Sequence, residues 1–222
     1  MEIRTTFHKR LREIQDDILA MGSMVGKAML RSTESLKNRD LELARQIIAD
    51  DQKINNKRFE IEEKCIELIA TQQPMASDLR IIIAILNITT EIERIGDYAV
   101  GIARITIMIG DEPPLKPLVD IPRMAEQTVD MLRRSLNAFV NRDAEAAKKI
   151  SAEDDTVDHL YDQIFRELLI FMAEDPKTIT RATRLMWVAH NLERSADRVT
   201  NICERVVFII TGKMEEVDAS KY

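Results

Sequence analysis

Apolar residues recur at helical spacing along nearly the whole chain. Over residues 5–37, Phe7, Leu11, Ile14, Ile18, Met21, Val25, Ala28, Ser32 and Leu36 follow one another at steps of three or four, a seam of bundle or coiled-coil type. The same reading predicts helices over about 40–72, 76–109, 122–140, 143–173 and 177–211. Proline punctuates them: Pro74, Pro113, Pro114, Pro117, Pro122 and Pro176 all fall at or between the predicted ends. The expected architecture is all-α, six long helices in two tandem three-helix bundles. The first repeat covers residues 1–110, a Pro-rich linker covers 111–122, and the second repeat covers 123–222.

The two halves resemble each other. Asn38-Arg39-Asp40-Leu41-Glu42-Leu43-Ala44-Arg45-Gln46-Ile47 matches Asn141-Arg142-Asp143-Ala144-Glu145-Ala146-Ala147-Lys148-Lys149-Ile150 at six of ten positions, at an offset of 103. Further on, Glu93-Arg94-Ile95-Gly96-Asp97 matches Glu193-Arg194-Ser195-Ala196-Asp197 at an offset of 100, so the second hairpin is three residues shorter. A three-helix unit written twice accounts for both.

Acids interrupt the apolar seams in both copies. In the second helix one heptad series reads Ile47, Ile54, Ile61, Leu68, while its companion reads Ala44, Asp51, Arg58, Cys65. The second copy reads Ala147, Asp154, Tyr161, Leu168 at the companion positions, so Asp154 repeats Asp51. One turn on, Asn55 and Asp158 add a polar residue to the same face. In the third helix Glu93 and Asp97 break a stripe that runs from Leu79 to Ile107, and Glu193 and Asp197 lie likewise between Met186 and Val207. That stripe is apolar at both ends, which predicts a helix buried on two sides.

Antiparallel helices bring residues equidistant from their turn to one level. Asp51 and Asp97, and likewise Asn55 and Glu93, are equidistant from Pro74. Asp154 and Asp197, and likewise Asp158 and Glu193, are equidistant from the Asp175–Pro176 junction. Four oxygen-bearing side chains are thus expected to converge in each half, roughly 26–35 Å from the turn at about 1.5 Å per residue.

Charge turns this convergence into chemistry. Candidate basic partners Arg58 and Arg104 become Tyr161 and Glu204 in the second copy, whereas the acids persist in both. An uncompensated buried carboxylate costs on the order of 5 kcal/mol, and a bound cation removes that cost. The ligands are all oxygen, which favours Mg²⁺, Mn²⁺, Ca²⁺ or iron; the ion is left open among these and zinc, with a thiolate-bound structural zinc disfavoured. The rival readings are a carboxylate-bridged di-metal oxidase or phosphatase, and a purely structural scaffold whose seam acids set register. The first lacks the Glu-x-x-His pair of di-iron bundles: only a reversed His190-x-x-Glu193 occurs, with Thr90 at the matching place in the first copy.

Composition excludes several classes. The chain has 222 residues, six glycines, six prolines and 5% aromatics, which argues against a sandwich, a barrel or a disordered tail. A formal net charge of −6 and no basic run argue against a nucleic-acid partner. Cys65 and Cys203 cannot form a disulfide framework and read as inert core residues. No phosphate-loop, dinucleotide or nucleophile-elbow motif is present. The opening MEIRTTFHKR has no apolar signal core, and no stretch nears about 18 uncharged apolar residues, so a cytoplasmic protein is expected.

Three motifs, in order, carry a family resemblance. Gln73-Pro74-Met75-Ala76-Ser77-Asp78-Leu79-Arg80, then Glu91-Ile92-Glu93-Arg94-Ile95-Gly96-Asp97-Tyr98-Ala99, then Leu192-Glu193-Arg194-Ser195-Ala196-Asp197-Arg198-Val199-Thr200-Asn201-Ile202-Cys203-Glu204 resemble the PhoU family of bacterial phosphate-signalling regulators. The resemblance implies a non-enzymatic cytoplasmic protein, commonly a homodimer, that represses the phosphate-starvation response when phosphate is plentiful. Its implied partners are the ATPase subunit of the phosphate ABC transporter and a sensor histidine kinase, with membrane association only through them. The family's Glu-x-x-x-Asp motifs bind metal, as multinuclear iron clusters in some members, and map onto Glu93/Asp97 and Glu193/Asp197. Members often continue the first motif as Asp-His-Ala-x-Asn. This chain has Asp97-Tyr98-Ala99-Val100-Gly101 there and keeps the Asn only in the second copy, as Asn201, which puts equal occupancy of the two sites in question.

Overall fold

The computed structural model describes residues 2–213. Helices α1 (Glu2–Asn38), α2 (Leu41–Gln72) and α3 (Ser77–Ile109) form the first unit, and α4 (Asp120–Asn141), α5 (Ala144–Ser151), α6 (Asp154–Glu174) and α7 (Ile179–Thr211) form the second. A single 3-10 turn, Pro176–Thr178, joins α6 to α7, and there is no strand among the described residues. Among the described residues no helix is long and apolar enough to cross a membrane.

The repeated Asn-Arg-Asp motif is a turn with a mechanism. Arg39 and Arg142 both adopt left-handed backbone, at φ 57° and 54°. Each is followed by an aspartate whose N–H reaches back to close the preceding helix, Asp40 to the Ser35 carbonyl and Asp143 to the Ala138 carbonyl, both at 2.9 Å. The same aspartates then cap the next helix, accepting the N–H of Leu43 and of Ala146 at 2.9 Å. Asp143→Ala is therefore expected to lower stability by about 1 kcal/mol in urea denaturation.

One expected helix is broken. The pattern over 143–173 predicts a continuous rod, but the chain tightens between Ser151 and Asp154, where the Glu153 N–H bonds to Ile150 and the Thr156 N–H to Glu153. No Gly or Pro marks this place, and the matching stretch of α2 is unbroken. The break lies directly before Asp154.

Each unit is a three-helix bundle, and the two share one core. Buried residues of the first, such as Ile18, Val25, Ile88 and Ile92, belong to the same apolar cluster as Met124, Leu132, Val188 and Leu192 of the second. The units meet along α3 with α7 and α1 with α4. In the first seam Glu91 meets Asn201 and Gly101 lies against Asn191, so α3 and α7 run antiparallel. Residues 101 and 201, and 91 and 191, are equivalent at the offset of 100; the two contacts are thus one contact seen from either copy, which gives the duplication a pseudo-two-fold axis.

Candidate metal centre

The first set of acids lies in the groove between α2 and α3. Asn55 Nδ2 donates to Asp51 Oδ2 at 3.1 Å, and Arg58 bridges the helices, donating to Glu62 on its own helix and to Glu93 on α3, both at 2.8 Å. Burial and then the charge of Glu93 push the Asp51 carboxyl above the usual range. Asp97 is raised by burial, then by Glu93 and Asp51, with Arg104 and Arg58 opposing. The three acids therefore act on one another as the spacing predicts, but they do so beside two cations.

The second set lies between α6 and α7. Tyr161 stands where the first copy has Arg58, and its phenol is itself raised, by burial and then by Glu193. Glu193 is pushed up to about 7 by burial and then by Asp197 and Asp158, with Arg194 opposing and Asp154 adding to the rise. Arg194 donates to Asp197 Oδ2 at 2.9 Å. The Oε2 atom of Glu193 is buried without a hydrogen bond. His190 Nδ1 is 3.4 Å from it but outside hydrogen-bond geometry.

Several placements differ from expectation. The acids do not all face inward: Asp154 is fully buried at 0% exposure, Asp51, Glu93, Asp158, Glu193 and Asp197 are half-buried, and Asp97 is exposed. Heptad position places a residue on the flank of a helix pair; it does not say whether a third helix covers that flank. Asn201 does not join the second set. Its amide donates to Glu91 Oε2 at 3.2 Å, beside Arg198, which donates to the same oxygen at 3.3 Å, so it belongs to the seam between the units. Gly101 has a structural reason as well: a Cβ there would meet Asn191 Nδ2 at 2.9 Å, so an asparagine at 101 would have to displace Asn191. Tyr161 and His190 are neighbours of Glu193, with ring centroids 6.3 Å apart; the substitution of Tyr161 for Arg58 at the repeat offset was the sequence signal for this asymmetry.

As they stand, no three His, Cys, Asp or Glu side chains among the described residues are gathered tightly enough to enclose an ion. The donor chemistry nonetheless fits an oxygen-preferring cation in the second set, through a buried carboxylate oxygen of Glu193 with no hydrogen bond and three further acids that act on it. It fits less well in the first, where the Arg58 guanidinium already occupies Glu93.

Comparison with known proteins gives the fold and the site a context. One family model, the PhoU domain, matches twice, over residues 18–106 and 121–206. The "phosphate-specific transport system accessory protein PhoU homolog" of Aquifex aeolicus is 40% identical over 206 residues, 93% of each chain. The protein of the same name from Clostridium acetobutylicum is 38% identical over 216 residues, 97% of this chain and 99% of that one. Among solved structures, PhoU from Pseudomonas aeruginosa superposes with a TM-score of 0.87 at 35% identity, covering 93% of this chain and all of its own. The "phosphate transport system regulatory protein PhoU" of Streptococcus pneumoniae gives a TM-score of 0.87 at 31% identity, covering 94% of this chain and 99% of that one.

Proposed function

This chain belongs to the PhoU family, and from that premise we propose that it is an accessory, regulatory protein of phosphate transport, working as a non-enzymatic, metal-binding adaptor. Membership supports the regulatory part, because relatives covered over nearly their whole length are named as accessory or regulatory proteins of that system. In this reading the chain, as a cytoplasmic homodimer, links the transporter's ATPase subunit to a sensor histidine kinase and holds the starvation response down while phosphate is plentiful. A pull-down from cells grown with and without phosphate tests it: both partners are expected in the bound set, and the absence of both removes the adaptor.

The metal part is carried by the unbonded, buried carboxylate oxygen of Glu193 among three neighbouring acids. Asp154, Asp158, Glu193 and Asp197 would hold the ion, and a bound cation supplies the counter-charge that fixes α6 against α7 at that level. Asp51, Asn55, Glu93 and Asp97 form the weaker candidate, since Arg58 already neutralises part of it. Mn²⁺ or Fe²⁺ added to chelator-treated protein is expected to raise the melting temperature by several degrees, by mass action on the folded state. The joint variant Glu193→Gln with Asp197→Asn should abolish that rise. Wild-type protein whose melting temperature ignores both ions, and which carries no metal by elemental analysis, would overturn this half of the reading alone.

A further inference from the structure

The outer side of the α1–α4 seam is an uncovered groove. Its deep end, about 450 Å³, has a floor that includes Leu19, Leu30, Val129, Leu132 and Leu136. From Leu30 it continues into a recess of about 340 Å³ beside Thr33 and Lys37. From Lys37 and Pro122 it continues again, into a hollow of about 570 Å³ floored by Val119 and the linker prolines. Leu19 to Lys37 spans about 27 Å at 1.5 Å per residue. Small residues deepen the floor: Leu136 lies across Gly22, where a Cβ would stand 2.2 Å from its methyl carbon, and Val129 lies across Gly26.

The groove has the shape of a missing helix. α1 is covered on its inner side by α2 and α3, and α4 by α5, α6 and α7. On the outer side two antiparallel rods leave a channel between their ridges, the bed into which a third rod packs at 8–10 Å in an ordinary bundle. Apolar side chains stand out of this bed: Leu30 is 39% exposed and Val119 66%.

Charge selects the occupant. The chain carries a net −6, yet among the described residues the only charged ones lining the deep end are Lys27 on the α1 rim and Arg133 on the α4 rim. Both are exposed, and Arg133 shares its charge with Asp130 at 2.5 Å beside the groove. Lys37 and Arg123 continue the two rims toward the linker, against Glu34 and Glu126. We propose that this groove is the docking site for one amphipathic helix of a partner protein, about 18 residues long, its apolar edge on the Leu19–Leu136 floor and acidic residues on both flanks meeting Lys27 and Arg133. The apolar floor supplies affinity, while the rim cations set the orientation and reject basic helices. The inference uses none of the acids of the metal centre and stands apart from the metal reading.

The probe is a fluorescein-labelled designed peptide of about 18 residues, with leucines along one helical edge and glutamates on both flanks, titrated onto the full chain by fluorescence anisotropy. The glutamate peptide is expected to bind at micromolar concentrations, and a version with lysines on both flanks about tenfold or more weakly. The joint variant Lys27→Glu with Arg133→Glu alters two exposed side chains and should reverse the preference at an unchanged melting temperature. Absence of binding, equal binding of the two peptides, or an unchanged preference in the variant overturns the proposal. Sedimentation of wild type and Leu30→Glu checks the competing occupant: a dimer that dissociates in the variant shows that a second copy covers the groove, which also overturns it.

Discussion

Glu193→Gln is expected to stabilise the metal-free protein at pH 8 by about 2 kcal/mol, although it removes a charge from a group that most substitutions would be thought to harm. Glu193 is raised from 4.5 to about 7 because burial and the nearby Asp197 and Asp158 make its charge unfavourable. Between those two values the folded chain holds a proton that the unfolded chain has lost, so stability falls as pH rises through the window. A shift of that size corresponds to at most about 3 kcal/mol, and because the side chain keeps 22% of its exposure the smaller figure is expected. Urea denaturation at pH 5 and pH 8 in chelator, on both proteins, isolates the effect in their difference. The glutamine variant should gain on wild type only toward pH 8. No gain there would show that the acids of the second set do not burden one another. Added Mn²⁺ should reverse the order, stabilising the wild type and leaving the variant unmoved, because a cation turns the same repulsion into attraction.

Ile92→Ala, in the first unit, is expected to lower the stability reported from the second by about 3 kcal/mol. Ile92 has 0% exposure on α3, the helix that packs against α7, and it shares one core with Val188 and Leu192 of that helix. The chain has a single tryptophan, Trp187, and it lies on α7. Fluorescence therefore reads the second unit alone, while far-UV circular dichroism reads both. If the shared core couples the halves, both signals should shift together to lower denaturant on this truncation. A Trp187 transition that stays in place while half of the helical signal melts early would instead mean that the seams at α3–α7 and α1–α4 are too weak to join the units.

Much of the fold was legible in the sequence because a helix writes its period into the chain. The seam from Phe7 to Leu36 and the proline punctuation placed the helices, and the repeated Asn-Arg-Asp turn gave the duplication, since the left-handed arginine and the capping aspartate are local devices. The acid sets were legible for a related reason: residues equidistant from a hairpin turn must meet, and Asp97 with Asp51, or Glu193 with Asp158, do act on each other. The break before Asp154 was not legible, because the matching α2 stretch is continuous and neither copy has a breaker there.

What the sequence determined by itself was therefore most of what is set by neighbours a few residues apart or mirrored across a turn: helix, hairpin, repeat and the level at which the acids stand. Tertiary structure decided what depends on a third partner. It placed Arg58 on Glu93 and left Oε2 of Glu193 without a hydrogen bond, sent Asn201 to Glu91 in the seam, and fitted Asn191 against Gly101. It also kept Asp97 exposed while Asp154 became fully buried. Periodicity fixes the direction of a side chain around its own helix axis, but burial and charge compensation depend on which other helix arrives on that side, and that is settled only when the two bundles pack.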